Sequence, residues 1–222
     1  MTERQKLNVD VVSDVVCPWC YVGMKRLDRA IAAVPEIEVE VRWRPYQLDP
    51  TIPPEGKDRR QYMIDKFGSE ERIAEIHKRL EAIGKEEGID FAFDAIKVAP
   101  NTLDAHRVIR WSASAGSSVH NDLVRRLFSL NFEHGQNIGD PQVLIDAARD
   151  AGMEDALTMT LLPTDADRSE VQTEIATASR MGITGVPCFL LEGKYAVMGA
   201  QDTETLADAF RQVAAQKARG EL

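Results

Sequence analysis

The feature that most constrains the fold is a change of hydrophobic period near the N-terminus. Residues 7–13 (LNVDVVS) form a short, Val-rich run that predicts a buried strand. Apolar residues then recur at helical spacing from Pro18 to about Val34, where Pro35 ends the pattern. Residues 37–43 (IEVEVRW) alternate apolar and charged side chains, which predicts a strand with one covered face. The chain is therefore predicted to begin with a β-α-β unit.

A long helical block separates this unit from a second set of strands. Four prolines between residues 45 and 54 break regular structure, and a hairpin is predicted around residues 192–194. Between them the pattern predicts helices over residues 57–67, 70–87, 102–115, 117–133, 141–151 and 167–181, and a last helix covers 203–217. The predicted fold is α/β, with a large helical insertion between β-α-β and β-β-α halves. The predicted domains are residues 1–50 with 182–222, and an inserted helical domain over 51–181.

Composition and charge exclude several classes of function. The 222 residues are 44% hydrophobic, which suits a globular chain, and they carry a net charge of −9. Arginine pairs such as Arg59 and Arg60 are separated by acids and are predicted to be solvated surface, so no nucleic-acid partner is expected. The first residues lack the pattern of a signal peptide, and no apolar run is long enough to span a membrane. We therefore predict a cytoplasmic protein.

The three cysteines point to redox chemistry. Cys17 and Cys20 are three residues apart at a predicted helix start, which brings their sulfurs within disulfide reach, whereas Cys188 lies far along the chain. Zinc sites also use this spacing, but a closed site needs about four ligands. The rest of the chain offers only Cys188 and four scattered histidines, so no metal site is predicted. In a reducing compartment a close cysteine pair is more often catalytic than structural.

The position of Cys17 suggests a mechanism. At the helix N-terminus, unpaired N–H groups and the helix dipole favour a thiolate. Cys17 is predicted to attack a substrate disulfide, and Cys20 to resolve the mixed disulfide. Pro18 fixes a helix-compatible backbone, and Trp19 offers an apolar ring beside the sulfur. The predicted enzyme is a thiol–disulfide oxidoreductase without a metal or organic cofactor.

Four motifs resemble one known family. They are Asp14-x-x-Cys17-Pro18-Trp19-Cys20-Tyr21-x-Gly23, Asn101-Thr102-x-x-Ala105-His106-Arg107, Gly182-x-x-Gly185-Val186-Pro187 and Gly199-Ala200-Gln201. With these motifs the chain resembles the DsbA family of the thioredoxin superfamily, in particular its FrnE-like cytosolic branch. The resemblance implies a thioredoxin fold, a cis Pro187 beside the cysteine pair, and a Val186 backbone that pairs with an extended substrate.

The resemblance also implies partners and leaves alternatives open. Asn101 and His106 become candidate substrate-binding residues, although for His106 alone an unliganded histidine packed on a helix is the commoner outcome. Glutathione is an expected co-substrate, and a homodimer is a weaker expectation. One alternative function is a glutathione-dependent isomerase or transferase related to 2-hydroxychromene-2-carboxylate isomerase and the kappa-class transferases, which generally carry serine in place of Cys17. Another is a non-catalytic chaperone that uses the apolar surface around Trp19.

One departure from the family concerns the proton of Cys20. Many thioredoxins and periplasmic DsbA enzymes carry a buried acid six residues before the first cysteine, where this chain has Val11. Asp10 is expected on the other face of the strand by alternation, so Asp14 or a water is the candidate proton acceptor. Cys188 follows Pro187 directly and is predicted to be an inert core residue, with a regulatory disulfide as the alternative.

Overall fold

The structure is a computed structural model that describes residues 4–222. The strands are β1 (Gln5–Ser13), β2 (Ile37–Pro45), β3 (Lys57–Asp58), β4 (Val98–Ala99), β5 (Cys188–Leu191) and β6 (Tyr195–Met198). The helices are α1 (Pro18–Ala32), α2 (Arg59–Phe67), α3 (Glu70–Glu87), α4 (Leu103–Ser112), α5 (Ser117–Phe132), α6 (Pro141–Asp150), α7 (Asp155–Leu161), α8 (Arg168–Arg180) and α9 (Thr203–Ala218). The order is β-α-β, a helical block, then β-β-α, as the resemblance implied.

The central sheet has four strands in the order β2-β1-β5-β6. β1 and β2 run parallel, whereas β1 pairs with β5, and β5 with β6, in antiparallel fashion. The β1–β5 register places Val11 opposite Phe189 and Val12 opposite Cys188. Because directly paired residues share a face and neighbours alternate, these two pairs lie on opposite faces of the sheet.

The two faces are covered by different parts of the chain. Val11 and Phe189 belong to the main core, together with apolar residues of α1, α5 and α9. Val12 and Cys188 belong to a second, smaller cluster that includes Ala178 of α8. Part of the helical block therefore completes the core of the sheet, and the division into domains 1–50/182–222 and 51–181 stays a prediction.

Most predicted elements agree with the structure to within a few residues. The helix predicted over residues 70–87 is α3, which starts after a Ser69 cap and ends at Gly88 in the left-handed conformation. Asp140 caps α6 by accepting two backbone N–H groups. The sequence missed the short helix α7 and the two-residue pair β3–β4. Within residues 4–222, no helix is both long and apolar enough to cross a membrane.

The topology determines where the predicted site residues meet. β1 ends at Ser13, and a turn through residues 14–16 leads to Cys17 at the start of α1. β5 begins directly after Pro187 and lies beside β1. The CxxC segment and the Val186-Pro187 segment therefore lie at the same end of the neighbouring strands β1 and β5, although they are far apart in sequence.

Candidate active site

Cys17 is the N-cap residue of α1. Its backbone is extended (φ −94°, ψ 113°), and its carbonyl accepts the N–H groups of Cys20 and Tyr21 at 3.0 and 3.2 Å. Pro18 occupies the first helical position, where its missing N–H has no partner to lose. The Cys17 side chain makes no capping hydrogen bond and is 5% exposed. The sulfur is thus free to react at the positive end of the helix.

Cys20 lies one turn deeper and is 1% exposed. Burial raises the pKa of the Cys20 thiol well above its usual range, and the neighbouring Cys17 raises it further. The Ser13 hydroxyl and the Asp14 backbone, both close to the sulfur, lower the Cys20 pKa and so act in the opposite direction. Cys17, Cys20 and Cys188 are all free thiols in this structure. Cys20 is therefore a protonated donor beside Cys17 in the reduced state.

The Val186-Pro187 segment faces the cysteine pair. Its peptide bond is cis, and the Cys17 Sγ lies 3.8 Å from the Val186 carbonyl oxygen, a distance that suits a weak S–H···O contact. Pro187 also packs against α1, since a Cβ built on Gly23 would lie 2.9 Å from the Pro187 Cγ. This close approach holds the start of β5 against the helix that carries both cysteines. Pairing of the Val186 backbone with a substrate stays a prediction.

Asp14 is the buried acid nearest the cysteine pair in sequence. It is 1% exposed, and its Oδ2 accepts the Leu48 N–H at 2.8 Å. Among the described residues, its Oδ1 has no hydrogen-bond partner within standard geometry, and the His106 Nε2 lies 3.4 Å away. Val11 is in the core and Asp10 pairs with Arg44, so the strand itself offers no acid on the cysteine side. Alternation predicted this arrangement.

The side chains of Asn101 and His106, both predicted to bind substrate, form hydrogen bonds with neighbouring segments of the chain. The His106 Nε2 carries the proton, because it lies 2.8 Å from the Tyr46 carbonyl oxygen, which can only accept. The Asn101 amide donates to the Ile52 carbonyl at 2.6 Å, and its oxygen accepts the Leu103 N–H at 2.9 Å. Both side chains thus connect segments around the site. Direct contact of Asn101 or His106 with a substrate stays a prediction.

A groove of about 530 Å³ opens beside Cys17 and extends to α2 and α3. Trp19, 36% exposed, stands at its rim next to Cys17, Pro18 and Val186. Its far end carries Arg59 and His77, neither of which the sequence analysis assigned to a site. Arg60 is exposed and pairs with Glu70, as expected of a surface residue, whereas Arg59 is partly buried where it borders the groove.

Ser13 is the other residue that the sequence analysis missed. Its hydroxyl is buried close to Cys20 and has no hydrogen-bond partner in the described part of the chain. Alternation along β1 places Ser13 on the same face as Val11, toward α1, and this was the available signal. Within residues 4–222, no group of three or more His, Cys, Asp or Glu side chains is arranged to hold a metal ion.

Comparison with known proteins identifies the family. Residues 8–211 match the model of the DSBA-like thioredoxin domain. The structure of a probable DsbA oxidoreductase, SCO1869 from Streptomyces coelicolor, superposes with a TM-score of 0.84 at 29% identity, over 95% of this chain and 91% of that one. A 2-hydroxychromene-2-carboxylate isomerase gives a TM-score of 0.71 at 16% identity, over 96% of this chain and 98% of that one.

The cytosolic disulfide reductase DsbM from Pseudomonas aeruginosa has the same fold, with a TM-score of 0.61 at 18% identity, over 96% of this chain and 98% of that one. A further DsbM structure contains GSH. These two weaker likenesses establish the fold alone, whereas the family model spans nearly the whole chain. The chain therefore belongs to the DSBA-like thioredoxin domain family.

Proposed function

We propose that this protein is a thiol–disulfide oxidoreductase that works through the Cys17–Cys20 pair. The observation that carries the proposal is the geometry of the pair. Cys17 is the N-cap residue of α1, its side chain makes no capping hydrogen bond and it borders the groove, while Cys20 is buried one turn behind it. One sulfur is placed to meet a substrate and the other to resolve the product, which is the division of labour that disulfide exchange requires.

The reaction is a two-electron exchange between thiols and disulfides, and it needs no cofactor. The Cys17 thiolate attacks one sulfur of a substrate disulfide, forms a Cys17–substrate disulfide and releases the other half as a thiolate. Cys20 loses its proton and attacks the Cys17 sulfur, which releases the second substrate thiolate and leaves a Cys17–Cys20 disulfide. A thiol donor then reduces the pair again, and we propose glutathione for this step. Oxidation of a substrate dithiol is the same sequence in reverse.

The surrounding residues support individual steps. The Cys20 S–H donates to the Cys17 thiolate, and the Ser13 hydroxyl stabilises the Cys20 thiolate when it forms. We assign Asp14 as the acceptor of the Cys20 proton, since its buried Oδ1 lacks a hydrogen-bond partner among the described residues. Trp19 and the Val186 carbonyl flank the sulfur where a substrate would lie. Asn101 and His106 position the loops around these groups.

The proposed setting is the cytoplasm, with protein or small-molecule thiols as partners. DsbM, which shares the fold, is described as a cytosolic disulfide reductase, and one of its structures contains GSH. The net charge of −9 gives no support for a nucleic-acid partner. A homodimer is part of the proposal and is tested by the mass of the protein in solution.

The experiment is the redox equilibrium of the pair across glutathione buffers, read by mass after thiol trapping, with Cys188→Ser as background. A two-electron transition between dithiol and Cys17–Cys20 disulfide is expected. Formation of a glutathione adduct on Cys17, with no internal disulfide at any ratio, would overturn the dithiol mechanism. That result would favour the isomerase-type alternative, in which glutathione is the bound cofactor.

A further inference from the structure

The groove beside Cys17 has two chemically different ends. Near the cysteine it is bordered by Trp19, Val186 and the buried carboxylate of Asp14. At the end formed by α2 and α3 it is bordered by Arg59 and His77. The walls between them are largely apolar and include Leu48, Ile52, Phe67, Ile76 and Leu80. A volume of about 530 Å³ is that of a small-molecule site.

Arg59 is a partly buried cation to which residues 4–222 offer no ionic partner. Burial lowers the pKa of its guanidinium, and no acidic side chain of residues 4–222 forms an ion pair or hydrogen bond with it. The nearby Asp49 accepts from Thr51 instead and lies beside Lys57 and Tyr62. Withdrawing a charge from water without a partner is unfavourable. The neighbouring Arg60 shows the ordinary alternative, an exposed side chain paired with Glu70.

His77 supplies a second unused polar group at the same end. Its ring stacks on Phe93 with centroids 4.2 Å apart, which fixes its plane. Its Nε2 is buried and has no hydrogen-bond partner within the described residues. Burial, followed by the charge of Arg59, lowers the pKa of His77, against weaker opposite effects of Asp94 and Glu81. The ring is therefore neutral near pH 7 and offers one N–H beside the guanidinium.

We propose that this groove binds an amphipathic organic anion, with its acid group on Arg59 and His77 and its apolar body along the walls toward Cys17. The position of the charges sets the orientation, because Arg59 and His77 lie at the end formed by α2 and α3, while the carboxylate of Asp14 lies at the cysteine end and repels an acid. The inference deepens the proposed function and rests on it in one respect: the small-molecule substrate becomes a disulfide or thiol that carries an acid group at the end of an apolar body.

The first test measures binding without any redox chemistry. The probes are anilinonaphthalenesulfonate, which joins an aromatic body to a sulfonate, and phenylnaphthylamine, which has the same rings without charge. Arg59→Gln is expected to weaken the sulfonate about tenfold or more, the loss of one charged hydrogen bond, and to leave the neutral probe within about twofold. Arg60→Gln, one residue away and exposed, is the matched control for long-range charge.

A second variant keeps the binding test independent of folding. Arg59→Lys retains the charge but not the fork of donors, so its sulfonate affinity is expected between those of the wild type and Arg59→Gln. Thermal unfolding of all three variants shows whether they are folded. If Arg59→Gln is folded and binds the sulfonate as tightly as Arg60→Gln does, the anion site is overturned.

The second test asks whether the site selects substrates. Reduced protein with Cys188→Ser is reacted with dithiobis(nitrobenzoate), an aromatic disulfide with two carboxylates, and with dithiodipyridine, an uncharged one. Arg59→Gln is expected to slow the first reaction about tenfold and to leave the second unchanged. Equal slowing of both would contradict the inference. Charge-selective binding of the sulfonate in a protein that reacts with neither disulfide would keep the site and overturn the proposed function instead.

Discussion

Cys20 in α1 and Cys188 in β5 are two buried thiols near the same end of the sheet, and they differ in their neighbours. Cys20 is 1% exposed and Cys188 is not exposed at all, and burial raises the pKa of both thiols. Cys20 has a second thiol one turn away, with a hydroxyl directed at its sulfur. Cys188 has the aliphatic side chains of Val12, Ala178 and Ile183. Burial alone therefore does not distinguish a reactive thiol from an inert one.

The register of two strands produces the difference. Phe189, opposite Val11, points to the face that α1 covers, while Cys188, opposite Val12, points to the face that α8 covers. The sheet thus stands between Cys188 and Cys20, although Cys188 follows Pro187 directly. This arrangement supports the interpretation of Cys188 as an inert core residue over that of a regulatory disulfide.

Replacement of the cysteine that borders the groove tests the comparison most strongly. Cys17→Ser is expected to lower disulfide exchange at least ~1,000-fold, because a serine hydroxyl is not ionised near pH 7 and cannot form the mixed disulfide. Cys188→Ser is the matched control and is expected to keep the wild-type rate within about twofold. The measurement is reduction of a small disulfide under a thiol donor. A comparable loss in both variants would remove the distinction between the two faces.

Loss of the resolving cysteine, Cys20, is expected to give the next largest decrease in turnover. Cys20→Ser is expected to slow turnover about 100-fold, since the Cys17–substrate disulfide must then wait for an external thiol. The trapped mixed disulfide should appear by mass in equal amount to the protein. A Cys20→Ser protein that turns over at the wild-type rate without such an adduct would show that Cys20 has no resolving role.

The sequence predicted much of the fold and the centre of the site. Hydrophobic patterns that extend over many residues predicted β1, α1, β2 and the long helices. The CxxC spacing and the helix start made Cys17 and Cys20 the candidate redox pair from local physics alone. The family resemblance was needed for Pro187, since nothing local to Val186-Pro187 indicates which residue the segment meets in the fold.

The groove could not be predicted, because it depends on how distant segments pack. Arg59 follows a loop and starts a short helix, and its sequence neighbourhood is that of a surface residue. Only the packing of α2 against α3 desolvates it and brings it to His77. The short helix α7 and the pair β3–β4 were missed for a related reason, since elements of two to seven residues contain less than two full turns or pleats of pattern.

The contact between α1 and Pro187 holds the start of β5 against the helix that carries Cys17 and Cys20, and a substitution at Gly23 tests it. A Cβ there would lie 2.9 Å from the Pro187 Cγ and 3.3 Å from the Phe189 Cζ. Gly23→Ala is therefore expected to lower the free energy of unfolding by about 1–3 kcal/mol through overpacking. Gly185→Ala in the neighbouring loop is the control, since its Cβ would meet no atom within 4 Å. Equal urea midpoints for the two variants would contradict this close contact.

Alkaline pH tests the two thiols directly and gives the smallest effect. The folded state holds both protons above the ordinary cysteine pKa, while the unfolded chain releases them, so the stability of the reduced protein falls as pH rises. A thiol that stays protonated in the folded state but has a pKa of about 8.5 in the unfolded chain lowers the free energy of unfolding by about 1.4 kcal/mol at pH ~9.5.

Cys20→Ala should remove about this much of the alkaline decline, because burial and Cys17 both raise the pKa of Cys20. Cys188→Ala should remove less, because burial acts there alone. The measurement is urea unfolding of the reduced variants at pH ~7.5 and ~9.5, where the cavity left by either substitution cancels in the difference between the two pH values. A larger recovery in Cys188→Ala than in Cys20→Ala would mean that the neighbouring Cys17 does not hold the Cys20 proton, and the proposed hydrogen bond from Cys20 to the Cys17 thiolate would fail with it.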